Sequence, residues 1–233
     1  MLLPAYAKLS DDLPTLARQY LASMGIISTI AVPAVAGVAA TAPFLISLLL
    51  GKEWLEAIPV LEILAFFGIT QVLQTNAYSA FLAIGKPGAF VRINAFHVVV
   101  LLAGLFVLTP AYGMLGAAWA FVGAAVLALP VNFAFISRYM QIRVVDLLRV
   151  LWRPLASSAV MYGVVRFLGP AHDVSALGSL QAVIPLTEAV LLGIAVYVAA
   201  CAALWVAVGR PEGAESWLLE QGRAPGRKIG VLS

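Results

Sequence analysis

Six apolar runs separated by short polar stretches set the pattern of this chain. They cover about residues 20–50, 55–84, 90–108, 114–136, 155–168 and 186–208. A helix needs about 20 apolar residues to cross the hydrocarbon core of a bilayer. Most of the runs meet that length, and the first exceeds it, so it must tilt, kink or begin in the interface. Pro33 and Pro43 lie inside it and predict kinks, because proline lacks a backbone donor and crowds the preceding turn. The second run closes on Gly85-Lys86-Pro87-Gly88, where glycine supplies left-handed conformations and proline forbids continuation. The third stops at Thr109-Pro110. The fifth is short and spans only by borrowing from residues 147–152. Those residues sit in SRYMQIRVVDLLRVLWRP (137–154), whose Arg138, Arg143, Arg149 and Arg153 among apolar positions fit an interfacial amphipathic helix.

Composition turns this pattern into a fold class. Hydrophobic residues make up 63% of the 233 and charged residues 11%. Soluble domains have roughly 45–50% and about 25%. So few charges cannot cover so much apolar surface, and the expected architecture is all-α, a polytopic membrane bundle of six helices. The expected organisation is a connector over 1–19, a transmembrane domain over 20–208 and a Gly-, Pro- and Arg-rich disordered tail over 209–233.

The basic residues fix an expected orientation. With even-numbered turns and both termini on one side, that side holds Lys8, Arg18, Lys86, Arg92, Arg138, Arg143, Arg149, Arg153, Arg210, Arg223, Arg227 and Lys228. The other holds only Lys52 and Arg166. The positive-inside rule then places both termini in the cytoplasm. Dispersed in this way, the charges form no nucleic-acid patch. Met-Leu-Leu-Pro has no basic start, so a signal peptide is not expected there. The stretch LLPAYAKLSDD instead reads as the exit of an earlier span, which makes a fragment of a longer protein the expectation.

The sequence contains no zinc-spaced Cys/His cluster, no G-x-S-x-G and no phosphate-binding loop, so neither enzyme activity nor a cofactor is expected. Cys201, the single cysteine, lies in an apolar run and reads as a small hydrophobe. His172 and Asp173 are neighbours in sequence only.

The polar positions inside the runs are the candidate chemistry. Gln71, Gln74, Thr75 and Tyr78 share one face of the second helix. Asn94 and His97 sit one turn apart on the third, with Arg92 near its end. Polar side chains in a span face other helices or a wet cavity. Two readings therefore stand side by side: interhelical hydrogen bonding, or the lining of a path for a polar substrate. Arg92 either snorkels to headgroups or attracts an anionic substrate group. Glu62 and Glu188 are candidate proton-coupling acids. Arg166 and Glu188, both near the outer interface, are candidates for an ion pair fastening the fifth helix to the sixth. Gly113, Gly116, Ala117, Ala120, Gly123 and Ala124 form a small-residue stripe of the kind that lets helices approach closely in lipid.

Residues 51–96 also carry a resemblance. Gly51, Trp54, Ala57 and Leu61, followed by Gly85-Lys86, resemble the G-x-x-W-x-x-A-x-x-x-L…G-[KR]-x segment of the Wzx-type polysaccharide flippases, a branch of the MOP exporter superfamily. A stretch like LLPAYAKLSDD follows the eighth span in that family. The resemblance implies that this chain is the C-terminal portion, the last six of fourteen spans. It further implies a bacterial inner-membrane carrier that moves undecaprenyl-diphosphate-linked oligosaccharide between leaflets by alternating access, for O-antigen, capsule or exopolysaccharide. The implied partners are membrane lipids and an N-terminal flippase half or other polysaccharide-assembly proteins. The rival readings are a membrane transferase acting on lipid-linked sugars and a non-catalytic subunit of an export complex.

Overall fold

A computed structural model describes residues 12–169 and 179–207. The start of the chain, the loop with His172 and Asp173, and the tail lie outside those residues. Among the described residues the fold is all-α. It runs α1 (Leu13–Ala40), α2 (Ala42–Leu49), a 3₁₀ turn (Lys52–Ala57), α3 (Ile58–Ala83), α4 (Pro87–Met140), α5 (Val144–Leu168), a second 3₁₀ turn (Ser179–Ala182) and α6 (Val183–Ala207). This is a polytopic membrane bundle.

The first apolar run is two helices, and the first of them starts before the apolar residues do. Asp12 caps α1 by accepting from the Thr15 amide at 3.2 Å. Donation from Thr15 holds the Asp12 carboxyl below the usual carboxylate range. The break falls at Thr41, and Pro43 sits in the first turn of α2, where its missing donor costs nothing. Pro33 stays inside α1. Its ring removes the amide that would have bonded the Thr29 carbonyl four residues back. Tyr197 of α6 replaces it, donating its hydroxyl to the Thr29 oxygen at 2.7 Å. Tyr197→Phe is therefore expected to orphan that carbonyl and lower stability by about 1 kcal/mol, read as a drop in melting temperature in detergent. An unchanged melt would show that the kink needs no outside donor.

Helix α1 is the centre of the bundle. Its buried positions, Leu16, Tyr20, Met24, Ser28, Val32 and Ala36, recur every fourth residue. They meet α3 on one flank and α5 on the other. Neighbouring helices then form a row in the order α6, α5, α1, α3, α4. At one end, Tyr20, Phe81, Ala89, Met140 and Leu147 pack together, which gathers the start of α1, the end of α3, both ends of α4 and the start of α5. At the opposite end Ala40, Phe44, Val165 and Ala189 pack together. The outward faces are apolar, with Ile30, Val99, Leu102 and Phe106 among the exposed side chains. In water that exposure would be costly, whereas hydrocarbon matches it.

The third and fourth runs are one hairpin. Thr109-Pro110 does not stop the helix, which continues to residue 112. Gly113 alone reverses it, at φ 57° and ψ −135°, a conformation that a side chain excludes. The two arms, 87–112 and 114–140, return alongside each other. A Cβ on Gly104 would stand 3.1 Å from the Ala120 Cβ. Gly85, at φ 67°, ends α3 in the left-handed turn expected of it, with the Lys86 amide on the Phe81 carbonyl at 2.8 Å. The basic segment and the fifth run also fuse. α5 begins at Val144, so residues 144–154 are its first turns and not a separate interfacial helix. Its 25 residues are about 37 Å long at about 1.5 Å per residue. Asp146, Arg149, Arg153 and Arg166 keep α5 out of the set of helices long and apolar enough to cross a membrane. Among the described residues that set comprises four: the first at Leu13–Ala40, the 3₁₀ turn with α3, the whole α4 hairpin and α6.

The ends of the row separate the charges. Arg18, Lys86, Arg92, Arg138, Arg143, Arg149 and Arg153 belong to segments that meet at the first end, and Lys52 and Arg166 to segments at the second. With the positive-inside rule this predicts that reporter fusions after Gly88 and Gln141 read the cytoplasm and fusions after Gly51 and Tyr112 the other side. A cytoplasmic reading after Tyr112 would break the α4 hairpin.

Candidate functional site

A polar groove of about 460 Å³ lies between α3 and the first arm of α4. Its lining is Gln71, Gln74 and Tyr78 from α3, and Phe90, Ile93, Asn94 and His97 from α4. α3 supplies one face at i, i+3 and i+7, and α4 supplies two side chains one turn apart. The Gly85 turn makes the two helices antiparallel neighbours, which brings those faces together. Aromatic contacts bound the groove. Tyr78 and Phe90 meet edge-on with centroids 4.8 Å apart, and Phe67 tilts against His97 at 6.5 Å. Gln71 and Asn94 are exposed, and Gln74 and His97 are half-buried. Among the described residues the lining contains amide, phenol and imidazole groups and no carboxylate, lysine or arginine. Such a surface offers hydrogen bonds in both directions with no fixed charge, as a neutral hydroxyl-bearing ligand requires.

Five of the polar residues singled out from sequence thus converge: Gln71, Gln74, Tyr78, Asn94 and His97. Arg92 does not join them. It lies two positions from Asn94, about 200° around the helix. Its Nε donates to the Gly88 carbonyl at 3.1 Å, its Nη2 stands 3.5 Å from the Tyr139 hydroxyl, and its guanidinium lies 5.5 Å from the Phe135 ring centre. It clasps the two arms of α4 at the first end. Glu62 sits nine residues before Gln71, on the opposite face of α3, and its Oε1 is enclosed without a hydrogen-bond partner. Glu188 is exposed on α6, at the other flank of the row. The two candidate proton-coupling acids therefore meet neither the groove nor each other. No ion pair joins Glu188 to Arg166; the pair seen among the described residues is Arg149 with Asp146 at 3.8 Å, exposed and of little energetic weight.

A second cleft, about 510 Å³, opens between α1, α5 and α6. It is apolar, and its polar side chains are committed. Thr29 and Thr41 each donate to the carbonyl four residues back, at 2.8 Å, and Tyr197 holds Thr29 O. Of these two cavities, the α3–α4 groove has the more polar lining. Sequence reasoning passed over Asn132, which is 1% exposed on the second arm of α4 with no partner for its Oδ1. The available signal was an amide alone in a long apolar run. Among the described residues no cluster of three or more His, Cys, Asp or Glu could hold a metal ion.

Residues 1–59 match a family described as polysaccharide biosynthesis protein. The chain resembles membrane proteins of polysaccharide biosynthesis. A protein of Klebsiella pneumoniae, described as an uncharacterized membrane protein in the cps region, is 30% identical over 121 residues, which make up 52% of this chain and 25% of that protein. The matched stretch thus spans a quarter of that relative's length. No solved structure matches. The family match covers α1, α2, the first 3₁₀ turn and the first two residues of α3, while the polar groove lies beyond it.

Proposed function

We propose that this chain is the C-terminal part of a carrier that flips undecaprenyl-diphosphate-linked oligosaccharide across the bacterial inner membrane, and that it is not an enzyme. The observation that carries the reading is the uncharged groove of Gln71, Gln74, Asn94 and His97 in an otherwise apolar bundle. Neutral donors and acceptors at that depth suit sugar hydroxyls. The likeness to polysaccharide biosynthesis proteins supports the same substrate class. Alternating access requires two lobes around a midplane site. The described helices form a single open row, which leaves one side of the groove for an N-terminal half to close. Glu62, enclosed and unpartnered, is the better placed of the two acids for proton coupling.

The test is complementation of a flippase-null strain, scored as surface polysaccharide. The chain joined to an upstream flippase half is expected to restore export, and the chain alone is not. Full rescue by the chain alone would defeat the two-lobe reading. A joined form that folds and inserts but exports nothing would defeat the carrier reading.

A further inference from the structure

The seam between α3 and the second arm of α4 carries a repeat that the groove does not account for. Both helices run from the second end of the bundle to the first, so they are parallel. Phe81 and Tyr139 meet edge-on across the seam, with ring centres 6.3 Å apart. Two helical turns earlier, seven residues back on the same faces, stand Gln74 and Asn132. Seven residues earlier again stand Phe67 and Ala125, with Phe67 against the Phe121 ring at 5.6 Å. The two amides therefore occupy matching levels of one heptad seam. Leu73, beside Gln74, and Leu129 and Phe133, which flank Asn132, belong to one apolar cluster with Met24 and Leu151.

Both amides are nevertheless unpaired. Gln74 Nε2 and Asn132 Oδ1 are enclosed without a hydrogen bond. An amide carries donors and acceptors together, so the two are complementary whichever way each is flipped. A buried polar group without a partner is costly, more so where no water reaches it. Gln74 also lines the groove, so it has one possible partner on each side: a ligand in the groove, or Asn132 in the seam.

We propose that Asn132 is a positioning residue for Gln74: the two amides pair across the seam in a second arrangement of the bundle, which withdraws Gln74 from the groove. Tightening α3 against the second arm makes this hydrogen bond, and a groove ligand that takes the Gln74 amide breaks it. The groove and the hairpin are thereby coupled through one side chain. The idea deepens the substrate-path reading and rests on it for the groove side only.

Two measurements on the full chain test the pairing without any transport. In membrane vesicles, with Cys201→Ser as background, Gln74→Cys with Asn132→Cys is oxidised by copper phenanthroline, and the linked peptide is read by mass spectrometry. Linking at least tenfold faster than for Gln71→Cys with Asn132→Cys is expected, and equal rates would overturn the proposal. With the native amides, Gln74→Leu and Asn132→Leu are each expected to lower the melting temperature. The double variant is expected to recover at least half of the summed loss, because neither amide is then left alone. Strictly additive losses would overturn the pairing. If Gln71→Leu with Asn94→Leu exports normally, the substrate-path reading fails while linking and melting still report the seam, so the two failures are distinguishable.

Discussion

Gly116→Leu is expected to abolish the folded yield in detergent, and Gly123→Leu is expected to purify and melt like the parent. The two glycines belong to the same small-residue stripe, and spacing alone makes them equivalent. The hairpin separates them. A Cβ on Gly116 would overlap the Leu108 carbonyl and stand 3.1 Å from the Tyr112 Cβ. Leu108 and Tyr112 belong to the opposite arm, just before the reversal at Gly113, so the obstacle includes backbone that cannot rotate aside. Overfilling a packed site costs about 1–3 kcal/mol when side chains can shift. Here the arms must part, and the loss belongs at or above the top of that range. At Gly123 nothing lies within 4 Å of an added Cβ. Leucine there gains a lipid or groove surface without a clash. Fluorescence-detected size-exclusion yield and the melting temperature read the contrast. Equal losses at both positions would show that the arms do not close as described.

The second large effect concerns transport. In the joined carrier, Gln71→Leu with Asn94→Leu is expected to cut surface polysaccharide by roughly 30-fold or more. A hydrogen bond contributes about 1 kcal/mol net, and the two amides together supply about 2 kcal/mol in a groove with no charge to replace them. A loss of about 1.4 kcal/mol is already tenfold in a rate. Arg92→Ala is expected to cost only two- to threefold, because its guanidinium is engaged with the Gly88 carbonyl and the Phe135 ring and lies outside the groove. From the sequence, losing a cation that contacts phosphate would cost more than losing one amide, since that contact is the stronger, charge-assisted bond. Export that falls further for Arg92→Ala than for the amide pair would put the diphosphate on Arg92 and restore that ranking. Insertion levels, checked by immunoblot, separate loss of transport from loss of protein.

The membrane class, the all-α architecture and the segregation of the basic residues follow from one-dimensional properties. They depend on the length and apolarity of each run and on where Lys and Arg fall, and neighbours do not alter them. The same holds for half of the groove. Gln71, Gln74 and Tyr78 share a face by helical period, as do Asn94 and His97. The direction of Arg92 was also implicit in that period, because two positions turn a helix by about 200°; the length of its side chain obscured it.

Other features depended on what each segment meets in space. Pro33 remains inside α1 because Tyr197, 164 positions later, supplies the missing donor, whereas Pro43 lies in the first turn of α2, which needs none. Thr109-Pro110 stays helical, and Gly113 turns the chain, because the Gly104–Ala120 approach requires the arms to lie close. That Gln71 and Asn94 share one groove, that Glu62 and Glu188 stand apart from it, and that Asn132 lies level with Gln74 all depend on the order of helices in the row. Periodicity specifies which face of a helix is polar. Only the packing of side chains from distant positions decides which faces meet.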